Sequence, residues 1–378
     1  MVVPRILLVG AYERDNFGDL LFLELTKRRL GAIGAETVVS APISADMRAL
    51  VGEFVIPTGL ALQTDPFDTV WVVGGEIGTT TLGEALRFSL SAADHETLAA
   101  APGPVRRAAI AALTVDHESP GAYVPAPSGD DTTAAPVVLH SVGLAGLAGA
   151  AVDDPRMVSI SAAAGLTVRD GVSSELLAER GVRHRLAPDL VQTIRKHLVP
   201  ASPDPSSRVL VQASTRSLDL WGDDAFVDAV VSLSSDHPVT LFAAGTATGH
   251  DSIERYEEVR ATVLERSPTA DVSISSERDP WRLAREIAES RAWIGTSLHG
   301  RIVASAFDRP RVSLANVKVA AYADTWDPSM PSDVLLADAS AALATALAVA
   351  ELPEAAVGAR LSDLAATALD EAVAAHVA

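Results

Sequence analysis

Short apolar runs, each closed by glycine or a polar residue, alternate along this chain with stretches of helical periodicity. Residues 5–10 form the first such run and end at Gly10, as a buried parallel strand does. A polar loop follows from Ala11 to Gly18. Asp19 is then expected to open an amphipathic helix reaching Leu30, with Lys27, Arg28 and Arg29 in its last turn. Further strands are predicted over residues 37–40, 69–73, 137–143 and 166–168, with helices over 105–113 and 173–180. The Pro-, Gly-, Asp- and Thr-rich run reaching Ala135 reads as a long loop. Leu186-Ala187-Pro188-Asp189 closes this half.

Residues 196–207 hold Pro200, Pro203 and Pro205 and read as a linker. Beyond them the rhythm restarts. Strands are expected over 208–213, 239–244, 272–274, 292–295 and 312–315, with helices over 223–232, 252–265, 280–289 and 300–307. Residues 338–378 read as helical. Alternating strands and helices predict parallel sheets covered on both faces. The expected fold class is α/β, with two Rossmann-type domains facing across a cleft. The expected limits are 1–199, 200–335 and a helical segment 336–378 packing back on the first domain.

Composition narrows the function. The 378 residues carry a net charge of −19, which disfavours broad contact with nucleic acid. An anionic ligand would need a local cluster of cations. There is no cysteine, so disulfides, thiolate metal sites and a cysteine nucleophile are excluded. The histidines are scattered without metalloprotease spacing, and no metal or cofactor is expected. No long apolar leader or membrane span is read, so the expected location is the cytoplasm or the inner face of the membrane. A homodimer is the default oligomer.

In open α/β sheets, ligands bind beyond the carboxyl ends of the strands. Four strand ends carry unusual residues. Asn16, Gly18 and Asp19 lead into the first helix, where backbone N–H groups can hold a ligand or Asp19 can act as a cap. Gly74-Gly75-Glu76 combines two glycines with a carboxylate: either a tight turn or a close approach of ligand to backbone. Arg169 can fork onto an anion or pair with a neighbour such as Asp170. Ser297-Leu298-His299-Gly300 places an imidazole in the first turn of a helix, where it can bind an anion or move a proton. Gly300 is expected to clear room for a substrate. Lys318, after the next strand, is a second cation or a solvated lysine.

These motifs, Asn16-Phe17-Gly18-Asp19, Val73-Gly74-Gly75, Val168-Arg169-Asp170 with Ser173, Ala187-Pro188-Asp189 and Ser297-Leu298-His299-Gly300 with Lys318, together resemble the polysaccharide pyruvyl transferase family over residues 5–322. Glu76 stands where many relatives have glycine, and Ser297 where they often have arginine. The resemblance implies a glycosyltransferase-B-like fold. It implies phosphoenolpyruvate as co-substrate, a hexose-containing glycan or lipid-linked oligosaccharide as acceptor, and a pyruvate ketal as product. Membrane association would then run through the substrate. Arg169, Lys318, Ser297 and Gly300 correspond to the donor side, and Asn16, Gly18 and Gly75 to the acceptor side. His299 clamps phosphate or supplies the proton, and Asp19 or Glu76 is the base. A nucleotide-sugar glycosyltransferase of the same fold and an inactive glycan-binding relative are the rival readings.

Overall fold

The computed structural model describes residues 3–116, 119–125, 135–151, 153–201 and 205–377. Most of the predicted loop before Ala135, residues 117–118 and 126–134, lies outside them. The chain divides into two α/β units. The first comprises residues 1–15, 19–190 and 364–378, and the second residues 16–18 and 191–363. The limits therefore fall at 190/191 and 363/364, where 199/200 and 335/336 were expected.

The first unit carries β1 (Arg5–Val9), α1 (Phe17–Gly31), β2 (Glu36–Ala41), β3 (Ala45–Met47), α2 (Arg48–Val51), β4 (Glu53–Pro57), α3 (Thr58–Thr64) and β5 (Thr69–Val73). Then come α4 (Leu82–Ser89), α5 (Ala92–Ala100), α6 (Gly103–Thr114), β6 (Val137–Val142), α7 (Pro155–Ser161), β7 (Gly165–Val168), α8 (Gly171–Glu179) and β8 (Arg185–Leu186). The sheet order is β3-β4-β2-β1-β5-β6-β7-β8. Every pair is parallel except β3 with β4. That antiparallel edge was not expected, because a three-residue strand carries too little periodicity to read. Leu7, Val9, Val70, Val72 and Leu139 supply the buried apolar face that holds this sheet to its helices.

The second unit carries β9 (Val209–Gln212), α9 (Thr215–Trp221), α10 (Asp223–Ser234), β10 (Val239–Leu241), α11 (Ile253–Arg266), β11 (Val272–Ile274) and α12 (Pro280–Glu289). It continues with β12 (Ala292–Gly295), α13 (Leu298–Ala306), β13 (Arg311–Ser313), α14 (Val317–Trp326) and α15 (Ala339–Ala350), and α16 spans Gly358–His376. Its sheet is fully parallel, in the order β11-β10-β9-β12-β13. Val209, Val211, Leu241, Ile294 and Val312 line its core, and Leu343 and Ala346 of α15 join them. The end of α16 belongs to the first unit, where Thr69 Oγ1 donates to the carbonyl of His376 at 2.7 Å. Only the last turns of the predicted C-terminal segment thus return to the first sheet.

Two positions follow from these orders. In the first sheet β1 lies between β2 and β5, and in the second β9 lies between β10 and β12. Each is a topological switch point, where the loops leave in opposite directions and open a crevice at the carboxyl edge.

Candidate functional site

At the second unit's switch point, β12 ends at Gly295, opposite Gln212 of β9. Gln212 Oε1 accepts from the backbone N–H of Thr296 and of Ser297, both at 2.9 Å. Its amide nitrogen donates to Asp251 Oδ1 at 2.8 Å, and Asp251 Oδ2 accepts from Ala244 N at 2.6 Å. This buried latch fixes the turn that delivers His299. Ser297 caps α13 by accepting from Gly300 N at 3.3 Å, so His299 sits in the first turn, near the positive end of the helix dipole.

Residues 16–18 complete the same corner. Phe17 N donates to the carbonyl of Ala244 at 2.9 Å. The Phe17 ring meets Phe242 and His299 edge-on, at centroid distances of 5.9 and 6.5 Å. Gly18 has no Cβ, and the imidazole of His299 occupies that space; an added Cβ would collide with Nδ1 and Cγ. Gly18 therefore seats the histidine. Gly18→Ala should displace the imidazole and lower turnover about 10²-fold, the scale expected of a 1 Å misplacement. Steady-state kinetics beside a melting curve check this, and an unchanged rate would show that the imidazole position is immaterial.

Two expectations are corrected here. Gly300 does not clear room for substrate: its missing side chain is replaced by the indole of Trp293. Asp19 does not cap α1, which begins two residues earlier; Asn16 Oδ1 instead accepts from Gly18 N at 3.2 Å. Lys318 is exposed in the first turn of α14. The loop before it is tied to the histidine turn, since Asn316 Nδ2 donates to the carbonyl of Thr296 at 3.2 Å.

Deeper in α13, Arg301 is wholly buried. It donates to Ser313 Oγ at 2.9 Å and pairs with Asp327 Oδ2 at 3.0 Å, while Arg311 Nε reaches the same Asp327 oxygen at 2.6 Å. Burial holds the Arg301 guanidinium below its usual pKa, with Asp327 opposing that effect.

In the first unit, Gly74 and Gly75 both have positive φ, +63° and +79°, which explains the glycine pair. Gly74 is not an open approach to the backbone, because the ring of Phe22 fills its side-chain space; beside Gly75 the nearest atom lies 4.0 Å away. Glu76 and Arg169 come together around Gly143. A Cβ there would stand 2.6 Å from Glu76 Oε2 and 3.0 Å from Arg169 Nη2. Glu76 Oε1 also accepts from Gly146 N at 3.2 Å.

Arg169 pairs with Asp189 at 3.3 Å, both buried, and not with Asp170. Asp170 caps α8 by accepting from Ser173 N at 2.8 Å. Asp189, seen in the sequence only as part of a motif, is thus the counter-charge of the predicted anion-binding arginine. Asp19 lies 3.9 Å from Arg14.

The polysaccharide pyruvyl transferase family model matches residues 158–317. The matched segment includes Arg169, Ser297, His299 and Gly300 and stops one residue before Lys318. A search of curated proteins gave no significant match. Among solved structures, S. aureus MnaA with UDP aligns with a TM-score of 0.60 and 12% identity, over 96% of this chain and 94% of that one. UDP-GlcNAc 2-epimerase from Neisseria meningitidis, bound to UDP-GlcNAc, aligns at 0.51 and 10%, over 98% and 100%. At such identities the likeness is one of fold, and the fold is glycosyltransferase-B-like, as expected. Among the described residues no single helix is long and apolar enough to cross a membrane.

Proposed function

We propose that the protein transfers the three-carbon unit of phosphoenolpyruvate onto two hydroxyls of one hexose in a cell-wall or exopolysaccharide glycan. The products are a cyclic pyruvate ketal and phosphate. The observation that carries this reading is the family match over residues 158–317, with His299 inside it and held by Gly18 and Phe17 at the end of β12. The matched family and the fold support a transferase acting on a glycan or sugar nucleotide; donor and ketal belong to the proposal.

The chemistry sets the tasks. The methylene carbon of the donor takes a proton, and its neighbour becomes electrophilic. One acceptor hydroxyl adds there and loses its proton. The carbon–oxygen bond to phosphate breaks, and the second hydroxyl closes the ring with loss of its own proton. Of the two protons released, one balances the new methyl group and the other leaves with phosphate. His299 either delivers the proton or hydrogen-bonds the phosphate, a role suited to a group at a positive helix end. Lys318 and Arg169 are assigned to the donor's anionic groups, which a chain of net charge −19 must offset locally.

Arg169→Ala should raise the apparent KM for phosphoenolpyruvate about tenfold, the loss of one charge-assisted contact. An unchanged KM in the folded variant would remove Arg169 from the donor site and leave only its pairing with Asp189. The reading as a whole is tested by calorimetric titration with phosphoenolpyruvate and, separately, with UDP-sugars. Binding of the first supports it. Binding of a UDP-sugar alone would turn the assignment to a glycosyltransferase.

A further inference from the structure

The loop after β1 buries an unusual concentration of polar groups at the first sheet's switch point. The Glu13 side chain is fully buried; its Oε1 accepts from Ser89 Oγ at 3.0 Å and from Arg14 Nη1 at 3.3 Å. Two rings flank Arg14, whose guanidinium carbon lies over both, 5.1 Å from the Phe88 centroid and 5.9 Å from that of Tyr123. Asp19 stands on its other side at 3.9 Å. Tyr12, also fully buried, folds back on Gly10, where a Cβ would lie 2.7 Å from the phenol oxygen.

Four buried atoms of this cluster have no hydrogen-bond partner among the described residues: Glu13 Oε2, Arg14 Nε, Tyr12 OH and Tyr123 OH. Each such atom costs about 1–3 kcal/mol. Four together point to a polar ligand. Its chemistry is restricted: Glu13 Oε2 must accept, Arg14 Nε must donate, and the two phenol hydroxyls can do either. An anion is opposed by Glu13 and Asp19, and a cation by Arg14. A neutral diol, which donates and accepts through adjacent hydroxyls, matches this mixture of donors and acceptors.

We propose that Tyr12, Glu13 and Arg14 form the subsite for the acceptor's hydroxyl pair, and that Glu13 is the base that takes the proton of an attacking hydroxyl. This rests on the pyruvyl-transfer reading and replaces Asp19 and Glu76 as candidates for that base; Asp19 then serves as a counter-charge for Arg14. Burial pushes the Glu13 carboxyl up and the Arg14 charge pulls it down. A carboxyl raised above its ordinary value is better matched to a sugar hydroxyl than an ordinary carboxylate is.

The test uses the full chain, with methyl β-galactoside and a methyl N-acetylmannosaminide as probes. Glu13→Gln keeps the shape and an acceptor for Ser89 while removing the base. Ligand-observed NMR without donor should show glycoside binding weakened about tenfold, since the glutamine amide nitrogen cannot accept where Oε2 did, while transfer at saturating acceptor falls about 10²–10⁴-fold. Transfer at the parent rate would overturn the assignment. Should Glu13→Gln melt early, Tyr12→Phe carries the test: loss of one hydrogen bond should weaken glycoside binding about tenfold, and unchanged binding would overturn the subsite. A parent protein that binds the glycoside yet releases no phosphate from phosphoenolpyruvate would sink the transfer reading and leave the diol subsite standing.

Discussion

Replacing His299 with alanine should lower turnover about 10²–10⁴-fold, the range for loss of a positioned acid or base. The fold should survive, because His299 is only half-buried, and alanine leaves the caps of its helix in place. The split between kcat and KM identifies the role. A proton donor acts in the transition state, so kcat falls and the donor KM holds; a phosphate clamp raises KM as well. Unaltered kcat and KM would remove His299 from the reaction.

The largest stability effect is expected at Asp327. Its carboxylate is fully buried and is shared by Arg301 and Arg311, themselves fully buried. Asp327→Ala leaves two guanidinium groups without their counter-charge. Breaking one buried pair costs about 3–5 kcal/mol, and here one substitution breaks two. The melting temperature should fall by on the order of 10 °C or more. Arg301 also donates to the carbonyls of Asp327, Met330 and Pro331, at 3.0, 3.1 and 3.0 Å, so it fastens the helix that carries His299 to the segment after α14. Loss of activity is therefore expected to accompany the loss of stability. A drop below about 2 °C would mean that the network contributes little, as replaceable buried ion pairs can.

What the sequence made legible has a physical pattern. Strand ends were readable because apolar runs stop abruptly at glycine or at a polar residue, as at Gly74 and Gly295. The histidine turn was readable because Ser297 and Gly300 bracket His299 with recognisable cap chemistry. Less visible was what fills the space around them. That Trp293 replaces the side chain of Gly300, or that His299 replaces that of Gly18, depends on side chains brought together by the sheet. Gln212 and Asp251 lie 39 residues apart, and neither belongs to a motif, yet together they fix the turn. In the sequence Arg169 reads as a fork onto an anion or a partner of a neighbour such as Asp170; burial against Asp189 could be seen only once β7 and the segment after β8 were placed. Glu13 and Arg14 looked like ordinary loop polars. Only their burial marks them out.

The most direct test of the central claim is mass spectrometry of glycoside acceptors incubated with the protein and phosphoenolpyruvate, with phosphate measured in parallel. The account predicts phosphate release together with an acceptor heavier by one ketal-linked pyruvyl group. Phosphate release with an unmodified acceptor, or transfer of a sugar from a UDP-sugar in place of pyruvyl transfer, would contradict it.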